Sequence, residues 1–325
     1  MSFFPAQELT VGYQQQLDAV FPLVLGWNLS ETNMAGVKRW QLENRARLLS
    51  DLSLHGAILF RGFPVYSGAD FDSFIQAFGL DSFTYADSLS NAVRNNRTER
   101  VFTANEAPSS VSIYLHHEMA QTPVYPSKLF FYCEQAAEEG GATPLCRSDI
   151  LLRELELTAP EFVADCANKG VRYSNVMPAD DDLDSGQGRS WRSTLSVESR
   201  EAAGKKLRAL NYQWQWQADD SLRVTTPVLP AIRTLSDGRR VFFNQLIAAY
   251  RGWKDVRNQA ENSIRFGDDS IIDSEAMALT IELGDKLSFD LPWQTGDVAL
   301  VDNFLVMHGR RPFSGSRRVL ASLVA

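Results

Sequence analysis

Residues 36–54, GVKRWQLENRARLLSDLSL, carry apolar side chains at Leu42, Ala46, Leu49 and Leu52, at steps of four, three and three. That spacing predicts a helix with one buried face, with Trp40 and Leu48 off the stripe. GAILFRGFPV, 56–65, is short, apolar and closed by Gly and Pro, and reads as a buried strand. GADFDSFIQAFG, 68–79, reads as an amphipathic helix with Asp70 as its cap.

The middle of the chain is richer in strand signals. SVSIYLHHEMA, KLFFYCEQAA and TPLCRSD are short β-prone runs bounded by turn residues, and EEGGA at 138–142 joins two of them. DILLRELEL reads as helix and GVRYSNVM as extended chain. Residues 178–189, PADDDLDSGQGR, form a polar loop whose aspartates lack the spacing of a calcium-binding loop. YQWQWQA, LRVTTPVL and RRVFFNQL return to strand, and DSEAMALTIELGDKL predicts a helix. The end, 296–325, reads strand, turn, strand. No repeat, low-complexity tract or linker interrupts the chain. The pattern predicts one β-rich α+β domain over 1–325, a barrel or sandwich carrying helices.

Composition narrows the function classes. A chain of 325 residues with net charge −8 lacks the basic excess of a nucleic-acid binder. Three widely spaced cysteines, Cys133, Cys146 and Cys166, form no CxxC pair or disulfide framework. MSFFPAQELTVGYQQQ has no basic start and no long apolar run, so it does not read as a signal peptide. No apolar run approaches the roughly 20 residues of a membrane span. The expectation is a cytoplasmic protein acting on a small molecule, with no nucleic-acid or membrane partner.

The candidate chemistry lies in YLHHEMA, 114–120. Side chains alternate along a strand, so an extended 111–118 points His116 and Glu118 the same way and His117 the other. With 40 acidic residues in the chain, an H-x-E is a weak signal alone, and a buried, hydrogen-bonded histidine is the plain alternative. His308 changes the picture. It ends a strand-like run, and the next run opens with Arg317 and Arg318. Two histidines and one carboxylate from distant strands make the facial triad of non-haem Fe(II) oxygenases, with positions open for a 2-oxo acid and O2. A guanidinium suits the far carboxylate of the oxo acid, and Arg318 is the expected one. Arg317 is expected to be a surface charge.

The ordered set LHHEMA, GGATPL, GDVALVDN, MHGR, PF and RRVL resembles the taurine/2,4-dichlorophenoxyacetate dioxygenase family from about residue 20 to the C-terminus. LFRGF at 59–63 and FFNQ at 242–245 also fit. The H-x-E form resembles the branch of syringomycin-type amino-acid β-hydroxylases. The resemblance implies a double-stranded β-helix, or jelly roll, with flanking helices and inserted loops. It implies Fe(II), 2-oxoglutarate and O2, with His116, Glu118 and His308 as metal ligands. It implies Thr143 and Arg318 as the partners of the distal carboxylate of 2-oxoglutarate. Taurine dioxygenase has a further arginine for the sulfonate; Ser322 stands at that place here, which argues against a sulfonate substrate. Because Glu118 is present where related halogenases lack a carboxylate, hydroxylation or another oxidation is expected and halogenation is not.

Other residues are expected to support the site. His117 and His55 read as structural, Asn303 as the organiser of the turn before His308, and Arg192 as an exposed loop arginine or a lid contact. An amino acid is the expected substrate class, free or carried as a thioester on a peptidyl carrier protein. Two rivals stay open: a zinc hydrolase using the same three ligands, and a non-catalytic protein that keeps the fold.

Overall fold

A computed structural model describes residues 6–27, 33–83, 89, 95–104, 107–182, 188–253 and 263–325. Its frame is a mixed α/β arrangement of two main sheets. The larger has seven strands in the order Ala6–Glu8, Leu23–Trp27, Ala57–Arg61, Val298–Asp302, Lys128–Gln135, Arg318–Val324 and Phe102–Thr103. Its pairings are antiparallel except that of Leu23–Trp27 with Ala57–Arg61. The smaller has four strands, Phe289–Leu291, Thr143–Arg147, Val306–Arg310 and Ile113–His116, all antiparallel.

Strand alternation divides the apolar residues among separate cores. Leu129, Phe131, Val319, Ala321 and Leu323 of the larger sheet meet Leu145, Val306, Phe289 and Leu291 of the smaller in one cluster. The opposite face of the larger sheet, with Phe130, Tyr132, Leu300 and Leu320, packs under the helices Met34–His55 and Gly68–Gln76. Cys146, Met307 and Leu115, on the outer face of the smaller sheet, join a third cluster with the helices Ser148–Thr158, Pro160–Lys169, Leu246–Gly252 and Ser274–Lys286. Most of these strands are therefore buried on both faces, which is why they read as continuous apolar runs.

Several sequence expectations change. The first helix buries Val37, Trp40, Gln41, Leu48 and Leu52, while Leu42 is 63% exposed. Trp40 sets the face by packing on Trp27 and Phe63; of the expected stripe, Leu52 is buried and Leu49 partly buried on the same core, while Leu42 turns to solvent. The cap of the second helix is Ser67, whose hydroxyl accepts from the Asp70 N–H and donates to the Asp70 carboxylate. Of RRVFFNQL only Arg240–Val241 is strand, and Leu246 begins a helix.

A third sheet, Gln213–Trp216, Leu222–Thr225, Val171–Met177 and Ile264–Phe266, lies beside these two. With two short helices it encloses Trp191, Leu195, Leu207, Leu222 and Val224. The polar loop before Trp191 lies partly outside the described residues, at 183–187. No helix among the described residues is long and apolar enough to cross a membrane.

Candidate metal centre

His116 and His308 are directly opposed cross-strand partners in the smaller sheet, with ring centroids 4.3 Å apart. Val306 and His308 share the inward face of their strand, while Met307 faces out. His116 Nδ1 lies 2.7 Å from the Tyr114 carbonyl, so that nitrogen carries the hydrogen and donates it. Its Nε2 is left to face Glu118 Oε2 at 3.7 Å, and His308 Nε2 lies 3.5 Å from the same oxygen.

Glu118 reaches this place by a turn. The strand stops at His116, and residues 118–121 are turn. Asn303, buried and 185 residues away, holds the turn: its side-chain oxygen accepts from the Glu118 N–H at 2.7 Å. Its amide nitrogen donates to the carbonyls of Glu118 at 3.0 Å and Pro126 at 2.8 Å. The expected strand through 118 is thus shorter than read, yet His116 and Glu118 still converge and His117 still points elsewhere. His117 Nδ1 donates to the Asn303 carbonyl at 2.5 Å, and its ring meets Phe243. Burial pushes the His117 imidazole down to about 3, so it is neutral and structural at ordinary pH.

The three ligand-type atoms lie within 4.8 Å of one another, the only such histidine–carboxylate group among the described residues. Glu118 and His308 are buried. Two neutral imidazoles and a carboxylate suit an Fe(II) that keeps open positions, and the same donors suit a zinc ion with one open position.

These residues line a cavity of about 60 Å³ between the two sheets, with Thr143 from the smaller and Phe131 and Arg317 from the larger side. Trp293 Nε1 donates to the Thr143 hydroxyl at 2.9 Å. An indole can only donate, so the threonine oxygen accepts and its own hydrogen remains to be given elsewhere.

The two arginines lie otherwise than expected. Arg318 turns outward, its side chain 55% exposed, and its Nε donates to Glu134 at 2.9 Å. Arg317 has the parity of Val319, Ala321 and Leu323, which face the central core, and it lines the cavity. Its Nε donates to the Gly141 carbonyl at 2.9 Å. Burial, then the neighbouring charge of Arg310, lowers its pKa to about 10. The same parity moves Ser322 to the helix-covered side, opposite Phe130, and puts Ala321 inward. Neither position supplies a second cation.

The remaining expectations resolve simply. Arg192 lies over the Trp191 ring and donates to the Ala179 carbonyl, away from the cavity. His55 Nδ1 bonds the Val20 carbonyl. Sequence reading missed Trp293 and the clamp role of Asn303, both set by contacts more than 100 residues apart in the chain. It also missed Arg310, which is buried and donates to the carbonyls of Ala107, Pro108 and Val111.

Comparison with known proteins places this geometry. Residues 19–323 match the family described as taurine catabolism dioxygenase TauD, TfdA family. A clavaminate synthase-like protein of Arabidopsis thaliana is 41% identical over 276 residues, covering 84% of this chain and 83% of that protein. The dapdiamide synthesis protein DdaC of Enterobacter agglomerans is 29% identical over 284 residues, covering 84% and 83%. The PvcB protein of Pseudomonas aeruginosa shares the fold with a TM-score of 0.55 at 13% identity, over 100% of this chain and 92% of that one. The chain belongs to the TauD/TfdA family and is a 2-oxoglutarate-dependent dioxygenase that uses Fe(II).

Proposed function

We propose that the protein hydroxylates an unactivated C–H of a small amino-acid substrate, in the biosynthesis of a specialised metabolite. The reading rests on one observation above others: His116, Glu118 and His308 line one cavity with Thr143 and Arg317. The frame around them is read as a single jelly-roll domain over 1–325, in a cytoplasmic enzyme. The kinship with DdaC, a dapdiamide synthesis protein, supports an amino-acid-derived substrate, free or carried on a peptidyl carrier protein.

In this reading His116, Glu118 and His308 would hold Fe(II), and a set of three protein ligands would keep positions open for 2-oxoglutarate and O2. Bound iron supplies the activation of O2, coupled to the oxidative decarboxylation of 2-oxoglutarate to succinate and CO2. Arg317 and Thr143 fix the distal carboxylate, the first by its guanidinium fork and the second by the hydrogen that Trp293 leaves free. Arg317 replaces Arg318 in that role. Phe131 and Val319 exclude water beside the ligands. Glu118 would be a carboxylate ligand where a halogenase needs room for a halide, which favours hydroxylation over halogenation. A zinc hydrolase would share the ligands, but a guanidinium and a hydroxyl lining the same cavity match the far carboxylate of 2-oxoglutarate.

The test is anaerobic addition of Fe(II) and 2-oxoglutarate to the purified protein, followed by exposure to O2. A weak visible charge-transfer band and then succinate are expected. The absence of both the band and succinate, with Fe(II) shown to be bound, would overturn the reading.

A further inference from the structure

The cavity at the candidate ligands opens beside a larger one of about 360 Å³. Ala104, Arg310, Arg317 and Val319 are common to both walls. The larger volume falls in the range of small-molecule sites, about 300–1,000 Å³. Four arginines, Arg97, Arg310, Arg317 and Arg318, line it, and no Asp or Glu is among its described lining residues. Most of the rest of its wall is apolar, with Pro108, Phe313 and Leu320 among it.

These four cations differ in what they face. Arg318 is paired with Glu134. Arg310 is engaged by backbone carbonyls. Arg317 is reserved for 2-oxoglutarate, and the role of Arg97 therefore rests on the oxygenase reading. An Fe(II) ion, the Glu118 carboxylate, doubly charged 2-oxoglutarate and Arg317 together cancel in charge. Arg310 and Arg97 are then the charges left over; the terminal nitrogens of Arg310 are taken by carbonyls, whereas Arg97 is exposed and in no ion pair with a described residue. A guanidinium beside an apolar wall favours an incoming carboxylate, because a fork of two N–H donors matches its two oxygens. The strand that bears Arg317 cannot do this work, since its inward residues beyond that point are Val319, Ala321 and Leu323.

We propose that the substrate oxidised here carries a carboxylate and that Arg97, at the mouth of the larger cavity, is the side chain that takes it. The substrate then lies along the shared wall, with its carboxylate at the mouth and its reacting carbon toward His116 and His308.

The experiment measures succinate formation by the full chain with Fe(II) and 2-oxoglutarate. The probes are the proteinogenic amino acids and short dicarboxylic acids, each beside its primary amide. Certain acids should raise the rate about tenfold or more over the rate without added compound, and their amides should not. Arg97→Gln should raise the KM for those acids about tenfold while the KM for 2-oxoglutarate stays within about twofold, and Arg97→Lys should recover part of the loss. The same acids should perturb the anaerobic charge-transfer band of the wild type and not of Arg97→Gln. Stimulation by acids and amides alike, stimulation by neither, or an unchanged KM in Arg97→Gln would overturn the proposal. If the wild type forms no succinate with or without any compound, the oxygenase reading itself fails.

Discussion

Arg317 and Arg318 are neighbours in the chain and face opposite sides of the C-terminal strand. One lines the cavity of the candidate ligands; the other is exposed and paired with Glu134. The strand register shifts at this point: Arg318 opposes Gln135 and Val319 opposes Cys133, so Glu134 is bulged out where it can meet Arg318.

This relationship separates two variants that composition would treat alike. Arg317→Ala should raise the KM for 2-oxoglutarate by about tenfold to a hundredfold, the loss of a hydrogen bond to a charged group. Arg318→Ala should leave it within about twofold, since an exposed ion pair contributes about 0–1 kcal/mol. Steady-state succinate kinetics on both variants decide it; the reverse order would return the role to Arg318.

Asn303→Ala removes three hydrogen bonds from one buried side chain and frees the turn that carries Glu118. A loss of about 2–4 kcal/mol in unfolding free energy is expected from stranded backbone groups. Fe(II) affinity should fall as well. Urea titration and metal titration report the two effects separately, and an unchanged metal affinity would argue against the clamp.

Gly309→Ala should damage the site through the neighbouring strand. A methyl group at 309 would lie 2.4 Å from the Ile113 carbonyl oxygen, and that strand carries His116. The backbone must move apart. Metal binding is expected to weaken at least about tenfold, with a drop in stability of about 1–3 kcal/mol from overpacking. A variant with wild-type iron affinity would contradict the expected displacement.

Cys133, Cys146 and Cys166 are buried, and burial pushes each thiol up to about 12. Native protein should therefore react slowly with a thiol reagent even near pH 9, and quickly once unfolded. The linkage has a definite sign. Above the unfolded thiol value of about 8.5, the unfolded chain has lost protons that the folded chain keeps, so stability falls as pH rises from there toward 12. Denaturation midpoints across that window should decline steadily; a flat profile would mean the thiols are accessible.

Much of the site was legible in the chain. Alternation anticipated that His116 and Glu118 converge and His117 does not, although a turn and not a strand carries Glu118, and the order of motifs pointed to His308 and Thr143 as their partners. The face of the first helix, the Arg317/Arg318 choice and the place of Ser322 were not legible, for a common reason. Alternation identifies the inward face only when the other face is polar. The C-terminal strand is apolar on both faces, Val319, Ala321 and Leu323 toward the central core and Leu320 and Val324 toward the helices. Its period therefore fits either orientation, and only the opposing sheet and covering helices select one. Likewise the turn at Glu118 depends on Asn303, from a part of the chain that local pattern cannot connect to it. The sequence by itself determined which chemistry the side chains could perform. The tertiary structure decided which of them face the same cavity, because facing is a property of packed layers and not of the order of residues.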